Sequence, residues 1–211
     1  MLTDRCLFVA IVCAGLSNLN PALAESKVIA AGDWSKPVND NLGFALRGRL
    51  VLVEKERSDD RREVVVYVEL QDASQAVGRS MQLFCELGRN DFRPEYKPGL
   101  HCEMHDKNKQ PVAGKTFAFS GAVPRSQWIT LPSDGTIRLR ASPFGIHRPK
   151  ALAICPHLGS LWVIEDNDPN EYFLSGTFTI DPAKDRVAPG DDHVWRGTIV
   201  LPELRIANKP R

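Results

Sequence analysis

The chain has 211 residues, with 27 lysines and arginines against 26 aspartates and glutamates, which gives a formal net charge of +1. This near-neutral balance argues against a nucleic-acid surface and against a polybasic membrane patch. Basic residues cluster at Arg57–Arg62 and Arg138–Lys150, but acidic or apolar residues interrupt both clusters. Such interrupted clusters are typical of solvated strand edges and loops.

The first 24 residues have the features of an export signal. Leu7–Leu16 is an apolar run too short to span a bilayer, and Ala22-Leu23-Ala24 has the small-x-small pattern of a cleavage site. A buried N-terminal helix is the alternative. Removing Met1–Ala24 leaves 187 of the 211 residues, beginning near Glu25, which suffices for one domain with its own core. We expect an exported protein, periplasmic or extracellular, with no membrane span after cleavage.

Period-two alternation of apolar and polar residues predicts about ten or eleven short strands after an irregular leader at residues 25–41, in which Trp34 docks its ring. The first two strands are predicted to form a long hairpin, and the last two an antiparallel pair joined by a long connection. Pro202 lacks an N–H and should mark an edge or a bulge in the last strand. The predicted strands are Leu42–Val53, Glu63–Leu70, Met81–Leu87, Leu100–His105, Lys115–Phe119, Gln127–Leu131, Thr136–Ala141, Leu152–Cys155, Leu161–Ile164, Tyr172–Ile180 and Trp195–Leu201.

No window of a dozen residues shows the 3.6-residue period of an amphipathic helix, and no tandem repeat or linker divides the chain. Many short strands at turn spacing are typical of all-β sandwiches and barrels. The sequence therefore predicts one all-β domain at residues 42–207.

Two of the three cysteines that remain after signal removal lie on inward-facing positions of predicted strands. Cys85 shares its parity with Met81 and Leu83, and Cys102 shares its parity with Leu100 and Met104. Because an exported chain meets an oxidising environment, a Cys85–Cys102 disulfide is expected, although the other pairings stay open. Cys155 lies in apolar surroundings and is interpreted as an inert buried thiol.

One strand carries a candidate metal site. His101, Glu103 and His105 alternate along Leu100–His105, so their side chains face the same way about 7 Å apart. Two imidazoles and a carboxylate are ligands that Zn²⁺ accepts, with an open position for water. The alternative is that these residues form the polar outer face of a strand whose inner face carries Cys102.

A second candidate is a calcium-binding turn. Asp166, Asp168 and Asn170 have the spacing of the first three ligands of a calcium loop. Glu171 and Thr177 stand where such a loop needs glycine and glutamate, so the segment is not an EF-hand. An interstrand Ca²⁺ site and a solvated acidic turn both remain open.

Catalytic signatures are absent from the sequence. It contains no Gly-x-Ser-x-Gly, no phosphate-binding glycine loop and no dinucleotide fingerprint, so no catalytic residue and no cofactor other than Zn²⁺ or Ca²⁺ is predicted. The tryptophans at 34, 128, 162 and 195 could supply a sugar-stacking platform. Parity places Trp195 in the core and leaves Trp128 and Trp162 undecided.

Short motifs give the chain a resemblance to a known group of proteins. Trp34-x-x-Pro37-Val38-Asn39, the hairpin Leu46–Leu70, Leu174-Ser175-Gly176-Thr177-Phe178 and Trp195-Arg196-Gly197 are similar to motifs of exported, uncharacterised β-sandwich proteins of planctomycete-type bacteria. The resemblance covers most of residues 33–206. It implies a single immunoglobulin-like antiparallel β-sandwich and assigns no activity and no catalytic residue.

We therefore expect an exported β-sandwich module that has a binding or structural role without catalysis. Its partner would be a protein or a cell-envelope glycan, and not a nucleic acid. One alternative is a Zn-type metal-binding protein or metallohydrolase that uses His101, Glu103 and His105. Another is a carbohydrate-binding module with an exposed tryptophan.

Overall fold

The computed structural model describes residues 26–56, 62–74, 78–85, 99–115, 127–141, 151–157, 160–182, 187–189 and 193–206. Within these ranges the chain forms thirteen strands and no helix, so the all-β prediction is confirmed. In the same part of the chain nothing is long and apolar enough to be a membrane-crossing helix. The predicted signal peptide at residues 1–24, residues 86–87 and residues 116–119 lie outside the described residues.

Most of the predicted strands are present in the predicted order, with bounds that differ by a few residues. Those bounds are β1 (Ser26–Ala31), β2 (Val38–Asn39), β3 (Ala45–Glu56), β4 (Arg62–Asp72), β5 (Met81–Cys85), β6 (Leu100–Asp106), β7 (Gln127–Leu131), β8 (Thr136–Arg140), β9 (Ala151–His157), β10 (Ser160–Glu165), β11 (Tyr172–Ile180), β12 (His193–Val194) and β13 (Gly197–Ile206). β12 was not predicted, and Lys115, the one described residue of the predicted strand Lys115–Phe119, forms only an isolated bridge with Leu161.

The strands form four sheets. Sheet 1 has the order β1–β3–β4–β8, with β2 paired to β3, and sheet 2 has the order β13–β11–β6. Sheet 3 has the order β12–β5–β7, and sheet 4 is the pair β10–β9. Neighbours are antiparallel except for β12 and β5, which run parallel.

One large hydrophobic core receives side chains from all four sheets. Leu50 comes from sheet 1, Phe178 from sheet 2, Met81 from sheet 3 and Ile154 from sheet 4, and all four are fully buried. Trp195, just before β13, is also fully buried, as its parity predicts. The sheets therefore share one interior, which their alternating apolar faces line.

Both predicted strand pairs are confirmed. β3 and β4 pair along their whole length from Leu46↔Asp72 to Glu56↔Arg62, and β11 pairs with β13. The β11–β13 register shifts between Leu174, opposite Leu204, and Gly176, opposite Leu201. Two residues, Pro202 and Glu203, therefore stand opposite Ser175, which is the bulge that the missing proline N–H predicts.

The segment predicted as an irregular leader contains two strands. β1 pairs with β3 from Ser26↔Lys55 to Ala31↔Val51, and β2 pairs with β3 at Val38. Both short segments pair with the edge of β3 that β4 leaves open. Such long-range pairing cannot be predicted from the local pattern of apolar and polar residues.

The first long strand begins later than predicted. Leu42 is exposed in a turn, and β3 begins at Ala45. Asp40 Oδ1 accepts hydrogen bonds from the backbone N–H of Leu42 at 2.9 Å and of Phe44 at 3.0 Å, and Gly43 adopts a φ of 83°. The aspartate and the glycine close a tight turn, so alternation continues in the sequence where the extended backbone does not.

The predicted Cys85–Cys102 disulfide is not formed. Both residues are buried thiols in the large core. Cys85 ends β5 in sheet 3, whereas Cys102 lies in the middle of β6 in sheet 2, opposite Gly176. The inward orientation was predicted correctly, but residues of equal parity on two different sheets need not meet at bonding distance.

Candidate binding surface

The candidate zinc ligands lie on β6 with the predicted alternation. Leu100, Cys102 and Met104 are buried, while the side chains of His101 and Glu103 are 60% and 75% exposed. His101 Nε2 lies 3.3 Å from Glu103 Oε1. These two residues are in contact on the outer face of sheet 2.

His105 belongs to a different cluster. Its Nε2 lies 3.1 Å from Glu203 Oε1, and its Nδ1 lies 3.0 Å from the Asp106 carbonyl oxygen. The imidazole stacks on Phe173 with centroids 5.4 Å apart, and Lys109 Nζ donates to the same Glu203 oxygen at 2.6 Å. Both ring nitrogens of His105 thus face oxygen atoms other than those of Glu103.

Charge pairing is what holds this second cluster together. Hydrogen bonds from Lys109, with added contributions from the charges of Lys109 and His105, lower the pKa of Glu203. Among the residues whose structure is described, no group of three or more His, Cys, Asp or Glu side chains is arranged to hold a metal ion. The structure therefore places the three predicted ligands on one face but divides them between two clusters.

The candidate calcium turn joins β10 to β11, and its carboxylate is engaged within the turn. Asp168 Oδ1 accepts from the backbone N–H of Asn170 at 2.9 Å, and Oδ2 accepts from the Tyr172 hydroxyl at 2.7 Å. The Asn170 side-chain amide also donates to Asp168. These hydrogen bonds, with that of Tyr172 the strongest, lower the pKa of Asp168, and the hydrogen bond to Asp168 raises the pKa of Tyr172. Asp168 and Asn170 meet as partners in a turn that orients β11, and Asp166 lies half-buried beside them.

Tyr172→Phe should lower the stability of the protein by about 1 kcal/mol at neutral pH, because it removes a hydrogen bond to a charged carboxylate. In the folded protein the pKa of Asp168 lies below its ordinary value of 3.8. The ionised Asp168 therefore stabilises the folded state fully above pH 3.8, and this stabilisation is lost as the pH falls through the folded-state pKa. Thermal melts across the acidic range should therefore show the gap between wild type and Tyr172→Phe closing at low pH. Tyr67→Phe is the control, and a gap that does not change with pH would contradict the assignment.

The three cysteines of the described residues, Cys85, Cys102 and Cys155, are buried thiols and not exposed nucleophiles. Burial raises the pKa of Cys85 and of Cys155 to about 12, and burial together with the charge of Glu103 raises the pKa of Cys102. Cys155 packs with Ala153 and Leu161 in a small apolar cluster, as the sequence predicts. These groups are protonated thiols at neutral pH, and a thiol is a poor nucleophile compared with its thiolate.

The four tryptophans divide into two buried and two half-buried rings. Trp162 donates from Nε1 to the Val112 carbonyl oxygen at 2.8 Å and is buried, as is Trp195. Trp128 is half-buried and tilted against Phe84 at 5.1 Å. Trp34, the second half-buried ring, lies against the outer face of sheet 1.

A cluster of paired polar side chains lies on that outer face, and we call it the arginine row. Register places Arg49 opposite Glu69, and Glu69 opposite Arg138, across three adjacent strands. Arg49 Nε donates to Glu69 Oε2 at 2.6 Å, and Arg138 Nε donates to Glu69 Oε1 at 2.7 Å. Its members are Trp34, Arg47, Arg49, Glu69 and Arg138.

Trp34 completes the row at its β3 end. The guanidinium carbons of Arg49 and Arg47 lie 4.5 Å and 5.2 Å from the centroid of the indole ring. Arg47 Nε also donates to Gln71 Oε1 at 2.8 Å. Each arginine is therefore held by one hydrogen bond and by an aromatic face, which fixes its orientation.

The row carries excess positive charge at a partly exposed place. Arg49 and Arg138 bond to the carboxylate of Glu69 and Arg47 bonds to the neutral Gln71, so the five members of the row together carry a formal charge of +2. The Glu69 side chain is only 6% exposed, whereas those of Arg49 and Arg138 are 29% and 42% exposed. Farther along the same face Val51, Val53 and Val65 are buried, so the accessible part is the end near Trp34.

Part of this surface is visible in the sequence. Alternation places Arg47 and Arg49 on the polar face of β3 and Glu69 on the polar face of β4. Arg138 and Trp34 join them only through strand pairing and through the hydrogen bonds that fix residues 32–35 beside β3, such as Ser35 N–H to the Gly48 carbonyl at 2.9 Å. The register of the paired strands, and not the local sequence, therefore brings the members of the row together.

The chain was compared with protein-family models, with curated proteins and with solved structures, and none of them matches. A functional inference for this protein therefore rests on its own residues.

Proposed function

We propose that this protein is an exported, immunoglobulin-like β-sandwich domain that acts as a non-catalytic binding module, with the arginine row as its binding surface. The observation that carries the proposal is the pair of guanidinium groups, Arg47 and Arg49, fixed against Trp34 beside the Glu69–Arg138 ion pair. The resemblance to exported β-sandwich proteins of planctomycete-type bacteria is consistent with it.

The sandwich arrangement is supported by the common core of sheets 1 and 2. β3 of sheet 1 lies in contact with β13 of sheet 2, and Leu50 and Leu201 belong to the same apolar cluster. Two antiparallel sheets that pack their apolar faces together form a sandwich, and each sheet keeps a second face directed away from the shared core. On sheet 1 this outer face is buried at Val51 and Val53 and accessible near Trp34. The arginine row lies on one of these outer faces.

Pre-organisation favours a binding role for the row. An arginine has five N–H donors, and among the described residues Arg47 and Arg49 each use one of them, at Nε. The remaining donors are held in place by Trp34 before any ligand arrives. A ligand that accepts from them loses less side-chain entropy than it would on mobile arginines.

The binding role can be tested with Arg47→Gln, because the only hydrogen-bond partner of Arg47 in the described chain is the neutral, half-buried Gln71. The full-length protein and the variant are probed against immobilised glycans and peptides. The control is Arg205→Gln, which removes one charge from the outer face of sheet 2, where Arg205 pairs with Glu171.

The proposal predicts at least one ligand whose retention falls in Arg47→Gln and is unchanged in Arg205→Gln. Equal retention by all three proteins, or an equal loss in both variants, would contradict a specific surface at the row.

Export is tested separately by intact-mass analysis of the protein recovered from a secreting bacterial host. The expected mass lacks residues 1–24 and corresponds to a chain that begins at Glu25. Recovery of the uncleaved chain in the cytoplasm would contradict export and would leave the binding test unaffected.

A further inference from the structure

We infer that the arginine row binds the carboxylate groups of an acidic polysaccharide. This inference rests on the proposed binding role. The ligand class follows from two features of the row, namely the geometry of its donors and its flat, aromatic surroundings.

The donors are suited to planar oxyanions. A guanidinium presents its N–H groups as a fork that matches a carboxylate in two parallel hydrogen bonds. Arg47 and Arg49 are two residues apart on β3, so their positions are about 7 Å apart along the strand. Arg49 and Arg138 lie two strand spacings apart, or about 10 Å, across the sheet. The side chains converge from these backbone positions, since Arg49 and Arg138 reach the same carboxylate and Arg47 and Arg49 reach the same indole. The three forks therefore gather in one compact patch, which suits a ligand rich in carboxylates.

The contacts of Glu69 show that these guanidinium groups donate to a carboxylate. Glu69 receives Arg49 on one oxygen and Arg138 on the other, at 2.6 Å and 2.7 Å. One acidic group thus satisfies two of the arginines on their inner side. Within the described residues, the outer N–H groups of Arg47 and Arg49 have no hydrogen-bond partner, and a ligand of the same chemistry can accept from them.

The surroundings favour a glycan over an acidic peptide. Peptides are commonly bound along an open strand edge or in an apolar groove, and the row lies instead on the face of the central strands β3 and β4. Aromatic rings flank the charges, with Trp34 beneath Arg47 and Arg49, and Tyr67 next to Arg138 at 5.9 Å. These half-buried rings beside charged forks make a surface that is partly apolar and partly cationic, which is complementary to a sugar ring that carries a carboxylate.

The test uses affinity electrophoresis of the full-length protein in gels containing polygalacturonate. The matched probe is the same polymer with its carboxylates methyl-esterified, which keeps the sugar chain and removes the charge. Polyglutamate represents acidic peptides. The proteins are the wild type, Arg47→Gln, Arg47→Lys and the control Arg205→Gln.

We expect the wild type to bind polygalacturonate and to ignore the methyl ester. Arg47→Gln should weaken binding about tenfold or more, because a lost hydrogen bond to a charged group is of that size. Arg47→Lys keeps the charge and loses the fork, so it should also weaken binding, whereas Arg205→Gln should bind as the wild type does.

Binding by Arg47→Lys at wild-type strength would overturn carboxylate recognition in favour of unspecific charge. If polyglutamate or the methyl ester bound as strongly as polygalacturonate and the binding depended on Arg47, the ligand class would be wrong. The arginine row would still be the binding surface. Ligand binding that does not depend on Arg47 at all would overturn the proposed function together with this inference.

Discussion

Gly176→Ala is expected to destabilise the protein by about 3 kcal/mol, which is the upper part of the usual range for overpacking a well-packed interior. Gly176 lies in the middle of β11, the central strand of sheet 2, opposite Cys102 of β6 and Leu201 of β13. A Cβ at this position would lie 2.4 Å from the backbone oxygen of His101 and 3.1 Å from Cys102 Sγ. Because a backbone oxygen cannot rotate away, β6 must separate from β11 to accept the methyl group.

Chemical denaturation of the purified protein measures this loss. Ser175→Ala is the matched control, since Ser175 is the preceding residue of the same strand and its side chain lies on the outer face. We expect the control to change the free energy of unfolding by no more than about 0.5 kcal/mol. If Gly176→Ala were as stable as Ser175→Ala, the close contact between β6 and β11 would be wrong.

Trp195→Ala should cost about 3–5 kcal/mol, because it empties the space of a fully buried indole. The indole Nε1 has no hydrogen-bond partner within the described part of the chain, so the loss should come from packing alone. Trp195 covers the start of β13, where a Cβ on Gly197 would lie 2.7 Å from Cη2 and 3.0 Å from Cζ2 of the ring.

A double-mutant cycle isolates this ring contact. Gly197→Ala should cost about 1–3 kcal/mol in the wild type and close to nothing in Trp195→Ala, since the clashing ring is then gone. Trp195→Phe supplies a second background if the alanine variant does not fold. Additive effects of the two substitutions in the denaturation midpoints would show that the indole does not lie over Gly197.

The sequence predicted the strands of this protein well because alternation is a local property of an extended backbone. Side chains two residues apart share a face, so the burial of Leu100, Cys102 and Met104 against the exposure of His101 and Glu103 was visible before any pairing was known. The bulge at Pro202 was predictable for the same reason, since a missing N–H is a property of one residue. Alternation failed at Leu42, where Asp40 and Gly43 impose a turn.

The sequence did not show which strands, and therefore which side chains, come into contact. Alternation says which way Cys85 and Cys102 point, but it does not say that they belong to different sheets. It likewise placed His105 beside Glu103, while the fold turned its ring toward Glu203 from the bulge of β13.

By itself, then, the sequence determined the all-β class, the approximate positions of the longer strands and which of their side chains face inward. Only the tertiary structure decided that Trp34, Arg49, Glu69 and Arg138, from four separate segments, form one row. The physical reason is that the direction of a side chain depends on its own backbone. The neighbour it meets depends instead on which strands together bury the most apolar surface, and that is a property of the whole chain.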